Sequence, residues 1–180
     1  EEVFATVMNE HARQLGMTGS NFSNSTGLPD PNTYTTARDI VLLSAALITE
    51  FPRLYARFSM PEFTYNGIRQ VNRNKLLFRD DTIDGIKTGR TKSAGYCLVS
   101  SAERDGMRLI AAVMGTGSSA RRNQGSLSLI NYGFRFFETR ELYKRKDIIA
   151  SAKVWKGNMR QLNLSSPSLV HVTIPRGRYN

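Results

Sequence analysis

Cysteine is almost absent from the 180-residue sequence: Cys97 stands alone, so no internal disulfide staples the chain. It lies in Tyr96-Cys97-Leu98-Val99, a strand-like apolar run in which a thiol is expected to act as a small buried hydrophobe rather than a reactive group. Histidine is nearly as scarce. His11 and His171 lie far apart with no second ligand type at zinc spacing, and neither a metal centre nor a cofactor is expected. No apolar run reaches the roughly 20 residues of a membrane-spanning helix, and the longest, Ile40 to Ile48, is interrupted by Ser44. The opening Glu1-Glu2-Val3-Phe4 carries neither the basic nor the apolar stretch of a secretion leader. Internal repeats and low-complexity tracts are also missing.

What is present suffices for a folded chain. With 40% apolar residues there is material for a core, and the length fits one domain with a small appendage. The formal charge of +10 permits an anionic partner. Its basic residues are scattered, clustering only at Arg121-Arg122 and Lys144-Arg145-Lys146, and no aromatic-rich basic strand accompanies them. An ordinary solvated basic surface is the better reading, and no nucleic-acid partner is expected.

Periodicity places a helix over residues 1–15, with Phe4, Val7, Met8, Ala12 and Leu15 on one face and Gly16 as a left-handed stop. A helix under way at residue 1 suggests a chain cut from something longer. Residues 18–34, rich in Ser, Thr, Asn, Gly and Pro, read as loop. Thr36 and Asp39, in capping-box spacing, open a second helix that runs through Ile40–Ile48 and is expected to be buried. Asn66-Gly67 between Glu62–Tyr65 and Ile68–Val71 signals a hairpin with a type I′ turn. A longer hairpin follows: Gly95–Glu103, a turn at Asp105-Gly106, then Met107–Gly115, both strands apolar enough to be covered on two faces. Ile83–Gly89 reads as a strand before it, with a turn at Arg90–Ala94, and residues 120–139 as a helix carrying Leu127, Ile130, Phe134 and Phe137. Beyond residue 145 the pattern changes to short strands and turns, including Lys153–Lys156 and Leu169–Ile174. The fold expected is α+β (mixed α/β), an antiparallel sheet flanked by helices over residues 1–143, with the start of a small β-rich domain over 144–180.

Lys87-Thr88-Gly89 carries the chemistry. A lysine ammonium beside a reacting serine eases negative charge there and relays a proton. A threonine hydroxyl hydrogen-bonds a substrate carboxylate, and a glycine lets an extended peptide approach the strand closely. Ser-x-x-Lys, Ser-x-Asn and Lys-Thr-Gly form the motif set of penicillin-binding proteins.

The chain resembles the low-molecular-mass D-alanyl-D-alanine carboxypeptidases of that family. The resemblance rests on stretches that occur in family order: Met8-Asn9, Leu15-Gly16-Met17, Gly27-Leu28, Tyr34–Asp39, Asn66-Gly67-Ile68, Asn72-Arg73-Asn74, Asp84–Gly89 and Gly133–Thr139. Ile174-Pro175-Arg176-Gly177 is similar to the family's following β domain. The resemblance implies a β-lactamase/transpeptidase-like fold. It also implies a periplasmic serine peptidase that removes the terminal D-alanine of peptidoglycan stem peptides through an acyl-enzyme and is acylated by β-lactam antibiotics. Lys87 takes the catalytic place, Thr88 and Gly89 bind substrate, and Arg122 falls where the family holds the terminal carboxylate with a cation. Without that resemblance Arg122 reads as an exposed arginine at a helix N-terminus. Relatives carry His after Lys-Thr-Gly, whereas this chain has Arg90.

The serine is missing. No serine is followed three residues later by lysine: Ser118 and Ser119 precede Arg121 and Arg122, and Ser151 precedes Val154. No serine or tyrosine is followed two residues later by asparagine. Family order puts both motifs upstream of Glu1. The expectation is therefore an incomplete catalytic domain, inactive alone, whose nucleophile comes from a missing N-terminal segment or a second chain, and whose open sheet edge favours self-association or such a partner. A C-terminal membrane anchor common among relatives would lie beyond this sequence. The alternative is a non-catalytic module that binds peptidoglycan peptide.

Overall fold

Helix α1 (Glu2–Gln14) ends where Gly16 takes a φ of +76°, as the sequence implies. The computed structural model describes residues 1–178. The buried positions of α1 are Ala5 and Ala12, whereas Phe4 and Val7, expected in the apolar stripe, are exposed. Asn9 explains the rotation. It shares the Ala5–Ala12 face and exchanges two hydrogen bonds with the Phe22 backbone, both 2.8 Å, which docks the following loop on that face.

That loop converges on Asp39, 1% exposed at the start of α2 (Ala37–Glu50). Its Oδ2 accepts from the Gly19 amide at 2.8 Å and from the Ser20 hydroxyl at 2.7 Å, while Thr36 Oγ1 caps the helix by accepting from the Asp39 amide at 3.1 Å. The expected burial of α2 is met in part. Asp39 and Ser44 are its buried residues, Ile40, Val41, Leu42 and residues 45–48 are partly buried, and Leu43 is exposed. The Ser44 hydroxyl is satisfied by the Ile40 carbonyl at 2.7 Å.

Helix α3 (Pro52–Tyr55), with Pro52 at its first position, runs into a 3₁₀ turn, Ala56–Ser59. Strands β1 (Glu62–Tyr65) and β2 (Ile68–Val71) form the predicted hairpin, with Asn66 and Gly67 both at positive φ. A second 3₁₀ turn, Lys75–Phe78, leads to the main sheet. There β3 (Ile83–Thr91), β4 (Gly95–Arg104) and β5 (Met107–Thr116) pair antiparallel in the order β3-β4-β5. Strand β3 extends to Thr91, so Arg90 lies in the strand rather than in the turn. Among the described residues β3 is paired on one side alone, through β4.

One face of this sheet meets α2 and α3: Tyr55, Ile86 and Val99 form a buried cluster with Ile40, Leu47, Ile48, Phe58, Ile110 and Ala112 packed around it. On the other face Gly125 of α4 (Ser119–Phe136) sits against Val113. The two-sided covering expected for β4 and β5 is thus present.

Contacts divide the chain into a unit of residues 1–132 and a second unit from Gly133 onward. Helix α4 stops at Phe136, short of the expected Thr139, because its last carbonyls are captured. The Arg176 guanidinium donates to the Phe134 carbonyl at 3.0 Å and the Arg176 amide to that of Phe136 at 2.8 Å. Strand β6 (Phe137–Tyr143) then pairs with β9 (Val170–Pro175), and β7 (Ile148–Lys153) with β8 (Gln161–Ser165), all antiparallel. The strand expected at Lys153–Lys156 is instead the end of β7 and the start of its hairpin tip, where Lys156 takes a φ of +59°. The fold is mixed helix and antiparallel sheet with a β-rich C-terminal portion, as the sequence led us to expect.

Candidate active site

The root of β3 is fixed from three sides. The Tyr55 hydroxyl donates to Asp84 Oδ1 at 2.7 Å, Arg108 Nη1 donates to Asp84 Oδ2 at 2.6 Å, and Asn74 Nδ2 donates to the Gly85 carbonyl at 2.9 Å. Arg108 also donates to the Ser101 hydroxyl at 2.7 Å and pairs with Glu103. Burial holds the Tyr55 phenol protonated far above its ordinary range, so it acts here as a permanent donor. Asn74 is itself buried, and its Oδ1 accepts from the Leu76 amide at 3.2 Å, which ties the 3₁₀ turn to the strand.

From this root β3 carries Lys87, Thr88 and Gly89 along the open edge of the sheet. Cross-strand partners are Val99, Leu98 and Cys97 respectively. Lys87 is exposed and its ammonium donates to the Thr88 carbonyl at 2.7 Å. A Cβ placed on Gly89 would meet only Cys97 Cβ, at 3.9 Å, an ordinary contact. Nothing inside the fold demands glycine there.

Two clefts open against these residues. One, of about 520 Å³, is lined by Ile86, Lys87 and Thr88 from β3 and by Phe58, Glu62 and Arg73 among others. The second, of about 360 Å³, is lined by Thr88, Gly89, Arg90, Tyr96, Ser119 and Arg122, with Arg73 and Lys75 from the connection after β2. Val71, Arg73 and Thr88 line both clefts; Lys87 belongs to the first and Arg122 to the second. The second brings four cationic side chains together with no carboxylate in its lining.

Arg122 is no surface arginine: it is 5% exposed. Its guanidinium donates to Ser119 Oγ at 3.0 Å and to Asn123 Oδ1 at 3.1 and 3.2 Å, and it makes no ion pair among the described residues. Burial pushes its pKa below the ordinary arginine value, against the smaller opposing influence of Cys97 and Tyr96. A buried cation without a counter-ion is costly, so the pocket favours an anion that completes the pair. Arg90 stands opposite Tyr96 in register, its guanidinium 4.7 Å from the ring centre, which holds it at the rim.

Cys97 departs from its expected place in the core. It is half-buried at the strand end, with its thiol 3.3 Å from the Ala94 carbonyl. Arg73, Lys75, Tyr96 and Ser119 were not singled out from sequence as site residues. Arg73 lies inside one matched string, but no spacing rule connects a residue after a hairpin to a helix start some fifty positions later.

Comparison with known proteins identifies the family. A family model described as D-alanyl-D-alanine carboxypeptidase matches residues 1–118, and one described as penicillin-binding protein 5, C-terminal domain, matches residues 137–180. The D-alanyl-D-alanine carboxypeptidase DacC of Escherichia coli (strain K12) is 43% identical over 179 residues, which is 99% of this chain and 45% of that relative. The chain thus spans less than half the length of that protein. Penicillin binding protein 5 from Haemophilus influenzae has a similar structure, with a TM-score of 0.91 and 38% identity over 98% of this chain and 52% of that one. Penicillin-binding protein D2 from Listeria monocytogenes, solved in its cefotaxime-bound form, matches at a TM-score of 0.69 and 35% identity, covering 73% of this chain and 55% of that one. With one family model spanning most of the first unit and the second model the β-rich end, the chain belongs to the D-alanyl-D-alanine carboxypeptidase family.

Proposed function

We propose that this chain supplies the substrate-binding wall of a serine-type D-Ala-D-Ala carboxypeptidase that trims the terminal D-alanine from peptidoglycan stem peptides in the periplasm. The observation that carries the proposal is Arg122, buried without a counter-ion in a cleft shared with Thr88 and Gly89. A peptide laid along the open edge of β3 pairs with the backbone of residues 87–89 and places its terminal carboxylate between the Thr88 hydroxyl and the Arg122 guanidinium. Arg90, Arg73 and Lys75 add positive potential around it. Lys87 faces the adjoining cleft, where its ammonium stabilises charge on a serine and passes a proton.

That serine lies outside these 180 residues. In the full reaction its oxygen attacks the carbonyl of the penultimate D-alanine, the C–N bond breaks, the terminal D-alanine leaves with a proton, and water hydrolyses the ester. β-Lactams, one of which is bound by the Listeria relative, enter by the same acylation but leave slowly. The absence of Ser-x-x-Lys and Ser-x-Asn carries a second reading, in which these residues bind stem peptide without cleaving it.

Titration with diacetyl-Lys-D-Ala-D-Ala separates the readings. Binding by the 180-residue chain, lost when the terminal carboxylate is amidated, is expected under both. Covalent labelling by fluorescent penicillin is expected only once upstream sequence restores a serine. Labelling of the 180-residue chain itself would show that the nucleophile is here after all; no labelling after restoration would leave the binding module.

A further inference from the structure

The unit from Gly133 onward is far more basic than the rest. It holds ten Lys and Arg against three Asp and Glu, so it carries +7 of the chain's +10, and no acidic residue occurs from Ile148 to the end. The candidate site does not use this charge.

Within that unit the tip of the β7–β8 hairpin joins charge to apolar surface. Between Lys153 and Gln161 the chain turns through Val154–Arg160, closed by the Val154 amide donating to the Arg160 carbonyl at 3.1 Å. Trp155 is 78% exposed there and Met159 58% exposed. Lys153 holds its ammonium 4.2 Å from the centre of the Trp155 ring, and Lys156 and Arg160 are exposed on the same turn. Tryptophan is expensive to leave in water, and this chain has one.

We propose that the β7–β8 tip is a membrane-contact element, inserting Trp155 and Met159 at the headgroup level of an anionic lipid surface while Lys153, Lys156 and Arg160 engage the lipid phosphates. An indole at the interface keeps its ring among acyl chains and its N–H in contact with water, and cations beside it lie at phosphate depth. Charge complementarity selects the occupant. Three cations with no acid in the hairpin fit a negative surface, and each basic residue near such a surface strengthens binding about fivefold. This contact lies within the chain and is separate from the C-terminal anchor expected of relatives.

The lone tryptophan is its own reporter. The 180-residue protein is mixed with vesicles of phosphatidylethanolamine and phosphatidylglycerol, and in parallel with pure phosphatidylcholine. A blue-shifted, brighter emission with the anionic vesicles and no shift with the neutral ones is expected. Co-sedimentation should fall at least tenfold in Trp155→Ser and on the order of a hundredfold in Lys153→Gln/Lys156→Gln/Arg160→Gln. Both sets of substitutions lie at exposed positions of the hairpin tip, and far-UV circular dichroism checks that they fold. Unshifted emission with anionic vesicles would overturn the proposal, as would vesicle binding that survives Trp155→Ser undiminished. A shift that grows with protein concentration and without vesicles would also overturn it and mark the tip as a contact between copies.

Discussion

The Tyr55 hydroxyl donates to Asp84 at 2.7 Å and also stands 2.7 Å from the position a Cβ would take on Gly85, so one oxygen both anchors β3 and forbids a side chain beside the anchor. Tyr55→Phe should cost about 1–2 kcal/mol by leaving Asp84 with one partner fewer. Gly85→Ala should cost about 2 kcal/mol or more by overpacking against the ring. In the double variant the removed oxygen relieves part of the clash, so its loss should be smaller than the sum of the two single losses. Urea unfolding of the four proteins gives the coupling; strict additivity would show that the two groups do not meet.

The cationic cleft makes a graded prediction. Arg122→Gln should weaken binding of a carboxylate-terminated D-Ala-D-Ala peptide about 30-fold, near 2 kcal/mol, since it removes a buried charge partner. Arg90→His, the residue that the family resemblance implies at this place, should cost only about two- to fivefold because Arg90 is solvated at the rim. Raising the salt concentration should erase the Arg90 effect before the Arg122 effect. Calorimetric titration of both variants at two salt concentrations tests the order, and an equal loss from both would place the carboxylate at the rim.

How much of this was legible from sequence depends on how far apart the cooperating residues lie. The hairpin turns at Asn66-Gly67 and Asp105-Gly106, the helix cap at Thr36 and the Lys-Thr-Gly strand are local features, each set by a few adjacent residues, and all four stand where expected. What pattern missed was decided across the chain. The apolar face of α1 turned because Asn9 binds Phe22, and α4 ended early because Arg176 takes its last carbonyls, forty-odd residues downstream. The burial of Arg122 belongs to the same class. An arginine at a helix start looks solvated in one dimension, and only the packing of β3 and β4 beside it removes the water.

Acid should unfold the first unit through Asp39. The Ser20 hydroxyl holds this carboxyl below the ordinary aspartate value, burial opposes, and the Gly19 amide and Thr36 hydroxyl add to the lowering. A carboxyl with a depressed folded-state pKa contributes stability that is fully present above its unfolded value of about 3.9 and is lost as pH falls through the folded value. Asp80 behaves likewise: burial works to raise it but is outweighed by Thr82 and Arg104. The melting temperature should therefore hold from pH 7 to about pH 5 and drop below pH 4. In Asp39→Asn the protein should start less stable at pH 7 and lose less on acidification. A parallel pair of curves would remove Asp39 from the account.

Ser126 offers a gain. It is fully buried on α4, and its hydroxyl has no hydrogen-bond partner among the described residues. A hydroxyl desolvated in that way costs on the order of 1–3 kcal/mol, while alanine fills nearly the same volume and favours helix more strongly. Ser126→Ala should therefore raise stability by about 1 kcal/mol. The neighbouring Gly125 provides an independent increment. A Cβ there would meet Val113 at 3.6 and 3.8 Å, ordinary contact distances, so Gly125→Ala should add up to about 1 kcal/mol from helix propensity. Because α4 also presents Arg122 one turn earlier, peptide binding should stay unchanged if the helix merely stiffens. Denaturant unfolding alongside peptide titration checks both halves. A loss of stability in Ser126→Ala would mean that the hydroxyl is bonded, through a buried water, to a group whose satisfaction the fold requires.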